Sequence, residues 1–457
     1  MITYRRRDDK GDDLWFMTPS RTSEAMTVTI SAVKAFDIRF PTSRLLDGSD
    51  AMNPDPDYSA AYCIVETAGG GREGHGFTFT LGRGTELCVH AIEVLAPQLV
   101  GRSLDGIAND LSGFWRSLVG DSQLRWLGPE KGIIHMAAAA LVNAVWDLLA
   151  KEAGLPLWRY LAAMQPEQIV SAIDFRHISD ALSPARVLEV LRSRLPEKTA
   201  RIAQLERDGH AAYTTSAGWL GYDDDKIRTL ASKAVTEGWD AIKMKVGGSL
   251  TGDIRRAGIL RETLGPSRKL MLDANQVWEV EQAIEWVRAL KSVDPYWIEE
   301  PVSPDDILGH ARVREGVRPI RVATGEHCHN RIMFKQFLSA DAIDVVQVDA
   351  CRLGGVNEVL AVLLLAAMFD KPVCPHAGGV GLCEYVQHIS FFDAACVAKS
   401  ADGRMTEHAS HLHEHFVDPI RISRGRYLAP LAPGYSSEMK AQSRADYAFP
   451  SGKAWRG

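Results

Sequence analysis

Six apolar runs in the second half of the chain each end in an ionisable side chain. These side chains are Lys245, Asp273, Glu299, Glu326, Asp349 and His376, separated by 28, 26, 27, 23 and 27 residues. Taken alone, each is more typical of a helix N-cap or a solvated loop charge. The regular period fits one strand plus one helix, and the C-terminal strand ends of a βα barrel carry its active site. We therefore predict that six strands aim an ionisable group at one face.

Three of these groups are carboxylates from successive strands, Asp273, Glu299 and Glu326. Three oxygen ligands are the set that Mg²⁺ prefers, with water or substrate completing the octahedron. The alternative is that two of them pair with lysines or arginines of the barrel. The pattern favours a site for one Mg²⁺ ion, because a carboxylate trio without a cation would repel itself.

Lys243 and Lys245 form a Lys-x-Lys pair whose side chains share one face of a strand. Two solvated lysines are the alternative, but the apolar flanks, such as Ile242 and Met244, disfavour it. Two ammonium groups that lie close together lower each other's pKa. We therefore expect Lys245 to act as a neutral base near pH 7.

Asp349 and His376 end consecutive strands, so the carboxylate can orient the imidazole and support its protonated form. Lysine on one flank, metal in the middle and histidine opposite suits acid/base chemistry at a carbon next to a carboxylate. Such a carbon is a very weak acid, and the cation would neutralise the charge that forms when its proton leaves.

The elements that must position these groups follow from hydrophobic periodicity. Alternating runs over 28–40 and 60–67, a β-rich segment over 74–84 and an Ala-rich helix over 132–153 indicate an α+β domain before about residue 160. Strands are then predicted at 241–246, 269–275, 296–301, 321–326, 345–350 and 371–377, alternating with helices.

Composition narrows the class of protein. The 457 residues include 52 Lys+Arg and 58 Asp+Glu, a net charge of −6, and 46% are hydrophobic. These values argue against disorder and against nucleic acid as a partner. The longest wholly apolar stretch, 359–369, is shorter than the roughly 20 residues of a membrane span.

Residues 1–25 are interpreted as a polar leader upstream of a native start at Met26. The seven cysteines are sparse, which indicates reduced thiols and a cytoplasmic enzyme.

These motifs resemble the enolase superfamily, in its mandelate racemase subgroup, from about Met26 onward. The resemblance rests on Lys243-Met244-Lys245, Asp273-Ala274-Asn275, Glu299-Glu300-Pro301, Gly325-Glu326-His327 and the Asp349/His376 pair. It implies an α/β protein: a modified, TIM-like (β/α) barrel over 161–416, an α+β capping domain over 26–160, and a C-terminal tail over 417–457 that completes the cap. A homo-oligomer is also expected.

Five further segments narrow the resemblance to the L-fuconate dehydratase family within that subgroup: 47–58, 126–132, 213–222, 376–388 and 411–419. The family implies syn elimination of water from a small acid sugar, L-fuconate, giving 2-keto-3-deoxy-L-fuconate. In this scheme Lys245 takes the C2 proton, and the Asp349–His376 pair assists departure of the 3-hydroxyl or protonates the enol product.

The same resemblance assigns substrate contacts. Glu407, after the eighth strand, hydrogen-bonds a substrate carboxylate oxygen, and Lys243 and Asn275 also contact substrate. Trp126 either contacts substrate from the cap or packs the cap onto the barrel. Three alternatives stay open at this point: another acid-sugar dehydratase, a racemase or epimerase of the superfamily, and a non-catalytic sugar-binding protein that keeps the fold.

Overall fold

The computed structural model describes residues 28–69 and 71–456, so the predicted leader 1–25 lies outside the described residues. The first domain is built on an antiparallel sheet in the order β1-β2-β3, with β1 Ile30–Arg39, β2 Ser59–Thr67 and β3 Gly74–Thr80. A 21-residue helix, Gly132–Glu152, packs across β2 and β3. A Cβ atom at Gly76 would lie 2.1 Å from the carbonyl oxygen of Ala140, so glycine is required where the strand meets this helix.

Further helices surround this sheet and lead to the second domain. In chain order they are α1 Thr85–Leu95, α2 Leu104–Asn109, α3 Leu111–Val119, α4 Gly132–Glu152, α5 Leu157–Ala163, α6 Pro166–Ala172 and α7 Pro184–Asp208. Among the described residues, α4 alone has the length and hydropathy of a membrane span, and 89% of that window is buried inside the protein. It is therefore interpreted as a core helix.

The second domain is a ring of parallel strands. Six neighbouring strands pair in order: β4 His210–Thr214, β5 Ala241–Lys245, β6 Lys269–Asp273, β7 Pro295–Glu299, β8 Arg321–Thr324 and β9 Val345–Val346. β10, Thr406–His408, pairs in parallel with β4. The Glu407 amide donates to the carbonyl of Pro375 at 3.4 Å, which closes the ring through the segment at 372–376. The predicted (β/α) barrel with its capping domain is confirmed.

The strand predicted over 371–377 is reduced to a single bridge between Val346 and Val373. Pro372 and Pro375 have no N–H, so a continuous ladder cannot form across this segment. Its remaining amides still pair, because the Cys374 and His376 N–H groups donate to β9 and the residues after it at 2.9 and 3.0 Å. The segment therefore delivers His376 to the barrel mouth without regular strand structure.

Helices cover the outside of the barrel and an apolar layer fills its floor. The helices are α8 Asp224–Thr236, α9 Leu250–Leu264, α10 Val280–Ala289, α11 Ile307–Val317, α12 Arg331–Ser339, α13 Val356–Met368 and α14 Leu382–Phe392. The floor is a separate buried cluster that includes Met271, Trp297, Val345, Cys374 and Met405. Because side chains alternate along a strand, the residues two positions later point into the same interior, nearer the mouth.

The C-terminal tail first pairs with the barrel and then returns to the cap. A hairpin, β11 Ile422–Ser423 and β12 Arg426–Tyr427, lies beside β4. The Tyr435 amide then donates to Asp147 at 2.6 Å, and the Ser437 hydroxyl donates to the His75 carbonyl at 2.6 Å. After α15, Ala441–Tyr447, Ala448 bridges Ile38 of β1. The tail thus completes the capping domain, while the boundaries proposed at 160 and 416 stay predictions.

All seven cysteines are free and buried.

Candidate active site

Two lysines of β5 occupy the centre of the barrel mouth. The Lys243 ammonium lies 2.6 Å from Glu299 Oε1, 2.8 Å from Glu407 Oε1 and 3.2 Å from Asp273 Oδ2. The Lys245 ammonium lies 2.5 Å from Asp273 Oδ2. Lys243 is fully buried and Lys245 nearly so. Both side chains point into the barrel, because they stand two residues apart on one strand.

The expectation that Lys243 lowers the pKa of Lys245 enough to make it neutral near pH 7 is wrong for this arrangement. Burial lowers the pKa of Lys245 and Lys243 lowers it further, but attraction to Asp273 outweighs both and raises the pKa above its ordinary value. The raised pKa depends on the Asp273 carboxylate, so a cation that shares Asp273 would lower it.

Asp273, Glu299 and Glu326 place a ligand oxygen each within 4.8 Å of one another, and all three residues are buried. Burial and the neighbouring Asp273 charge raise the pKa of Glu299 well above its usual range, and burial and Glu300 raise that of Glu326. Glu326 Oε2 has no hydrogen-bond partner among the described residues. The lysine pairing considered as an alternative is present at Asp273 and Glu299, yet it does not reach Glu326, which faces His327 Nδ1 at 3.5 Å and His376 Nε2 at 3.6 Å instead.

The charges around this trio do not balance. Both histidines at the mouth have a raised pKa and count as cations, so with every carboxylate ionised seven carboxylates face five positive groups, and 7 − 5 leaves two negative charges. The carboxylates are Asp50, Asp273, Glu299, Glu300, Glu326, Asp349 and Glu407, and the cations are Lys243, Lys245, His327, Arg352 and His376. A divalent cation would neutralise this deficit, and the oxygen donors suit Mg²⁺. The residues present therefore fit the predicted metal.

His376 lies across the mouth from the lysines. Its Nδ1 atom is 2.8 Å from Asp349 Oδ2, and its Nε2 atom is 3.6 Å from Glu326 Oε2. Burial alone lowers the pKa of His376, but the Glu326 charge and the hydrogen bond to Asp349 raise it to about 10. Asp349 is itself held by the amides of Cys351 and Arg352. The imidazole is thus oriented and protonated near neutral pH.

Glu407 lies within β10, where it accepts a hydrogen bond from the Ala377 amide at 2.7 Å and pairs with Lys243. Burial raises the pKa of Glu407, but Lys243 and His376 outweigh burial and lower it. A hydrogen bond donated by Glu407 to a substrate carboxylate requires the protonated acid, which this arrangement disfavours. A substrate carboxylate placed beside it would raise that pKa by like-charge repulsion.

Backbone strain marks the loops after β6 and β7. Asn275 and Glu300 have φ angles of 43° and 41°, in the left-handed region. Such conformations cost of order 1–3 kcal/mol and concentrate at functional sites. The Asn275 amide donates to Asp273 Oδ1 at 3.0 Å, while its side-chain Oδ1 is buried without a partner among the described residues. In this conformation the main-chain amide of Asn275 orients the predicted metal ligand Asp273, and the side-chain amide of Asn275 is left to contact the cavity.

These groups open into a cavity under the capping domain. Tyr58, Phe79 and Leu81 line it from the cap, and Trp219, His327 and Arg352 line it from the barrel. Sequence reasoning gave none of these six a role, although His327 belongs to the Gly325-Glu326-His327 motif and Tyr58 and Trp219 fall in segments used for the resemblance. Arg352 stands three residues after Asp349, in a loop of the kind that carries barrel active sites.

Trp126 is the one predicted site residue that the structure does not bring to the cavity. It lies in the 3₁₀ helix Leu124–Leu127 and its side chain is 91% exposed. It neither lines the cavity nor packs the cap onto the barrel as a buried aromatic would. The other predicted residues converge at the barrel mouth.

Two family models match the chain. "Mandelate racemase / muconate lactonizing enzyme, N-terminal domain" matches residues 56–162, and "Enolase C-terminal domain-like" matches residues 226–443. The crystal structure of human Mitochondrial enolase superfamily member 1 is similar with a TM-score of 0.93 and 50% identity, covering 94% of this chain and 99% of that one.

Two further relatives carry substrate names. L-galactonate dehydratase of Hypocrea jecorina is 51% identical over 431 residues, which is 93% of this chain and 95% of that protein. L-talarate/galactarate dehydratase of Salmonella typhimurium was crystallised with Mg and L-lyxarohydroxamate. That structure is similar with a TM-score of 0.73 and 25% identity, covering 95% of this chain and 96% of that one.

Proposed function

The chain belongs to the enolase superfamily and has acid-sugar dehydratases among its relatives, and from this premise we propose that it dehydrates L-fuconate to 2-keto-3-deoxy-L-fuconate. The observation that carries the reaction type is the arrangement of Lys245 on β5 and a protonated His376 on the segment at 372–376, either side of the carboxylate trio. We also propose one Mg²⁺ per active site, while cytoplasmic location and homo-oligomeric assembly stay predictions.

The choice of substrate rests on the sequence segments and is compatible with the relatives. L-fuconate is 6-deoxy-L-galactonate, so it has the configuration of L-galactonate at C2 to C5 and a methyl group in place of the terminal hydroxymethyl group. L-galactonate dehydratase is a 51% identical relative. The two acids present the same C2 proton and the same C3 hydroxyl, so one set of catalytic groups serves both.

The first step is removal of the C2 proton, for which Lys245 would be the base in its neutral form, and a cation that shares Asp273 would favour that form by lowering the pKa of the lysine. Mg²⁺ held by Asp273, Glu299 and Glu326 would supply positive charge beside the developing anion. Lys243 lies behind the same carboxylates and adds a second fixed positive charge, which requires no reorganisation during the reaction. Glu407, next to Lys243, is placed to bind the substrate carboxylate.

Loss of the C3 hydroxyl needs a proton, and His376 can supply it. The hydrogen bond to Asp349 raises the pKa of the imidazole and holds the ring in one orientation, and this support would remain when a cation shares the charge of Glu326. The aromatic cap residues Tyr58 and Phe79 cover part of the cavity, and water kept out by them would strengthen these charge interactions.

A keto-acid assay with Mg²⁺ tests the proposal. L-fuconate and L-galactonate should both give the 2-keto-3-deoxy acid, and EDTA should abolish the product. Recovered substrate that has gained solvent deuterium at C2 without any keto acid would overturn the dehydratase proposal in favour of a racemase or epimerase. Binding without either reaction would indicate a sugar-binding protein.

A further inference from the structure

Arg352 is a cationic side chain on the cavity wall to which the proposed chemistry gives no role. It follows Asp349 in the loop after β9. Its Nε donates to the Glu326 carbonyl at 3.3 Å, and its Nη1 lies 4.0 Å from the Met136 sulfur of α4. Across residues 28–69 and 71–456, no carboxylate lies within 4.0 Å of the guanidinium nitrogens, so the side chain has N–H donors left over.

The other cations on this wall are already paired. Lys245 is paired with Asp273, His376 with Asp349, and His327 with Glu300. Asp50, the acidic cap residue at the cavity, accepts from the Met52 and Asn53 amides at 2.8 and 2.7 Å, so it is used in holding its own loop. Arg352 is therefore the charged donor with capacity to bind a further acceptor.

The proposed reaction leaves one part of the substrate without a partner. The carboxylate, C2 and C3 are taken by the metal trio with Glu407, by Lys245 and by His376. Carbons 4 to 6 must then lie along the remaining wall, which is lined by the apolar groups Phe79, Leu81 and Trp219 and by Arg352. A terminal methyl group is satisfied by the apolar side, whereas a terminal oxygen needs a donor.

We propose that Arg352 is a specificity-determining residue that binds the C6 group of the substrate and favours a hydroxyl or carboxylate over a methyl. This inference rests on the proposed dehydration and extends its substrate class beyond L-fuconate to acid sugars that carry oxygen at C6. A guanidinium presents a planar fork that suits a carboxylate best, so the preference increases from methyl to hydroxymethyl to carboxylate.

Three substrates isolate this contact, since L-fuconate, L-galactonate and galactarate share the configuration at C2 to C5 and differ only at C6. Arg352→Met should lower kcat/KM about 10-fold for L-galactonate and about 100-fold for galactarate, but less than about 3-fold for L-fuconate. The loss should fall mainly on KM, because the contact is the same before and during the reaction. Arg83→Met removes the same charge from an exposed residue of the adjacent surface groove and should leave the three substrates in their wild-type ratio.

Equal losses on all three substrates would show that Arg352 only holds the Glu326 and Asp349 loops, and would overturn the inference. Arg352→Lys keeps the charge without the fork, and should show the same order of losses at smaller size if the methionine variant does not fold. Calorimetric binding of the three acids to Lys245→Ala with Mg²⁺, with and without Arg352→Met, decides the contact without turnover. Absence of turnover in the wild type would overturn the proposed function, whereas unchanged binding ratios would overturn the role of Arg352.

Discussion

Two places in this molecule bury several charged groups, and they differ in whether those charges balance. The first is the strand-end cluster at the barrel mouth, formed by Lys243, Lys245, Asp273, Glu299, Glu326 and Glu407. The second is the cap–barrel cluster, where Glu130, Asp174 and Glu358 pair with Arg116, Arg176 and Arg331, and where His135 also contacts Glu358.

In the cap–barrel cluster each carboxylate oxygen of Glu358 has donors. His135 Nε2 lies 2.7 Å from Oε2, and the Gly354 amide donates to the same oxygen at 2.7 Å. Arg331 donates to Oε1 from its guanidinium at 2.9 Å and from its amide at 3.1 Å. Burial raises the pKa of Glu358, but His135 and Arg331 outweigh burial and lower it to about 2.

Glu326 in the strand-end cluster shows the opposite behaviour although it is equally buried. Its pKa is raised, and one of its oxygens has no hydrogen-bond partner among the described residues and only His376 Nε2 at 3.6 Å as a charged neighbour. Buried charge by itself therefore does not identify a functional site. A cluster that neutralises itself stabilises the fold, whereas a cluster short of positive charge is arranged to bind a cation.

The same substitution at the two glutamates gives the strongest contrast. Glu326→Gln should lower turnover about 10³-fold or more, because it removes a metal ligand. It should leave the free energy of unfolding of the metal-free protein unchanged or increased, because it relieves repulsion from Glu300. Steady-state kinetics, Mg²⁺ titration and denaturant unfolding check this prediction, and a destabilised variant that retains activity would contradict it.

Glu358→Gln should have the reverse effect. It should lower the free energy of unfolding by about 3 kcal/mol at pH 7, since it removes a carboxylate whose charged form the folded state favours. Its kcat should stay within about threefold of the wild type, because Glu358 contacts neither substrate nor metal ligands. A large loss of kcat in the folded variant would place the cap–barrel cluster in the catalytic machinery.

The pH dependence of stability follows from Glu358 with a definite sign. Its folded pKa of about 2 lies below the ordinary value of 4.5, so its contribution is present above pH 4.5 and is lost as the pH falls toward 2. The difference in unfolding free energy between wild type and Glu358→Gln should shrink from about 3 kcal/mol at pH 6 to roughly half of that at pH 3. Denaturant unfolding across this range checks it, and a difference that grows on acidification would contradict it.

The smallest effect is expected outside both clusters. Trp126→Ser should change stability by less than about 0.5 kcal/mol and leave kcat/KM unchanged, because the side chain is 91% exposed and does not line the cavity. A loss of kcat/KM above about tenfold would contradict this expectation and would support the substrate contact predicted from the sequence for Trp126.

The strand ends could be predicted because they recur along the sequence at the spacing of one strand plus one helix. Lys245, Asp273 and Glu299 end strands as predicted, because each apolar run is followed directly in the sequence by the charged residue that ends it. The segment carrying His376 reached its predicted place without forming a strand, because two prolines interrupt the ladder.

The features of the site that could not be predicted from the sequence depend on contacts between distant segments. The raised pKa of Lys245 comes from Asp273, 28 residues away on the neighbouring strand, and no local pattern weighs that attraction against Lys243. The positions of Arg352 and Trp126 relative to the cavity depend on how the cap sits on the barrel. Pairing across the domain boundary, as between His135 and Glu358, is likewise absent from any short stretch of residues.

The most direct test of the central claim compares wild type with Lys245→Ala in the presence of Mg²⁺ and L-fuconate or L-galactonate. Keto-acid formation should fall about 10³-fold or more in the variant, while its Mg²⁺ affinity and unfolding temperature remain close to those of the wild type. Wild-type turnover in Lys245→Ala would contradict the claim, because the C2 proton would then leave without the lysine at the centre of the strand-end cluster.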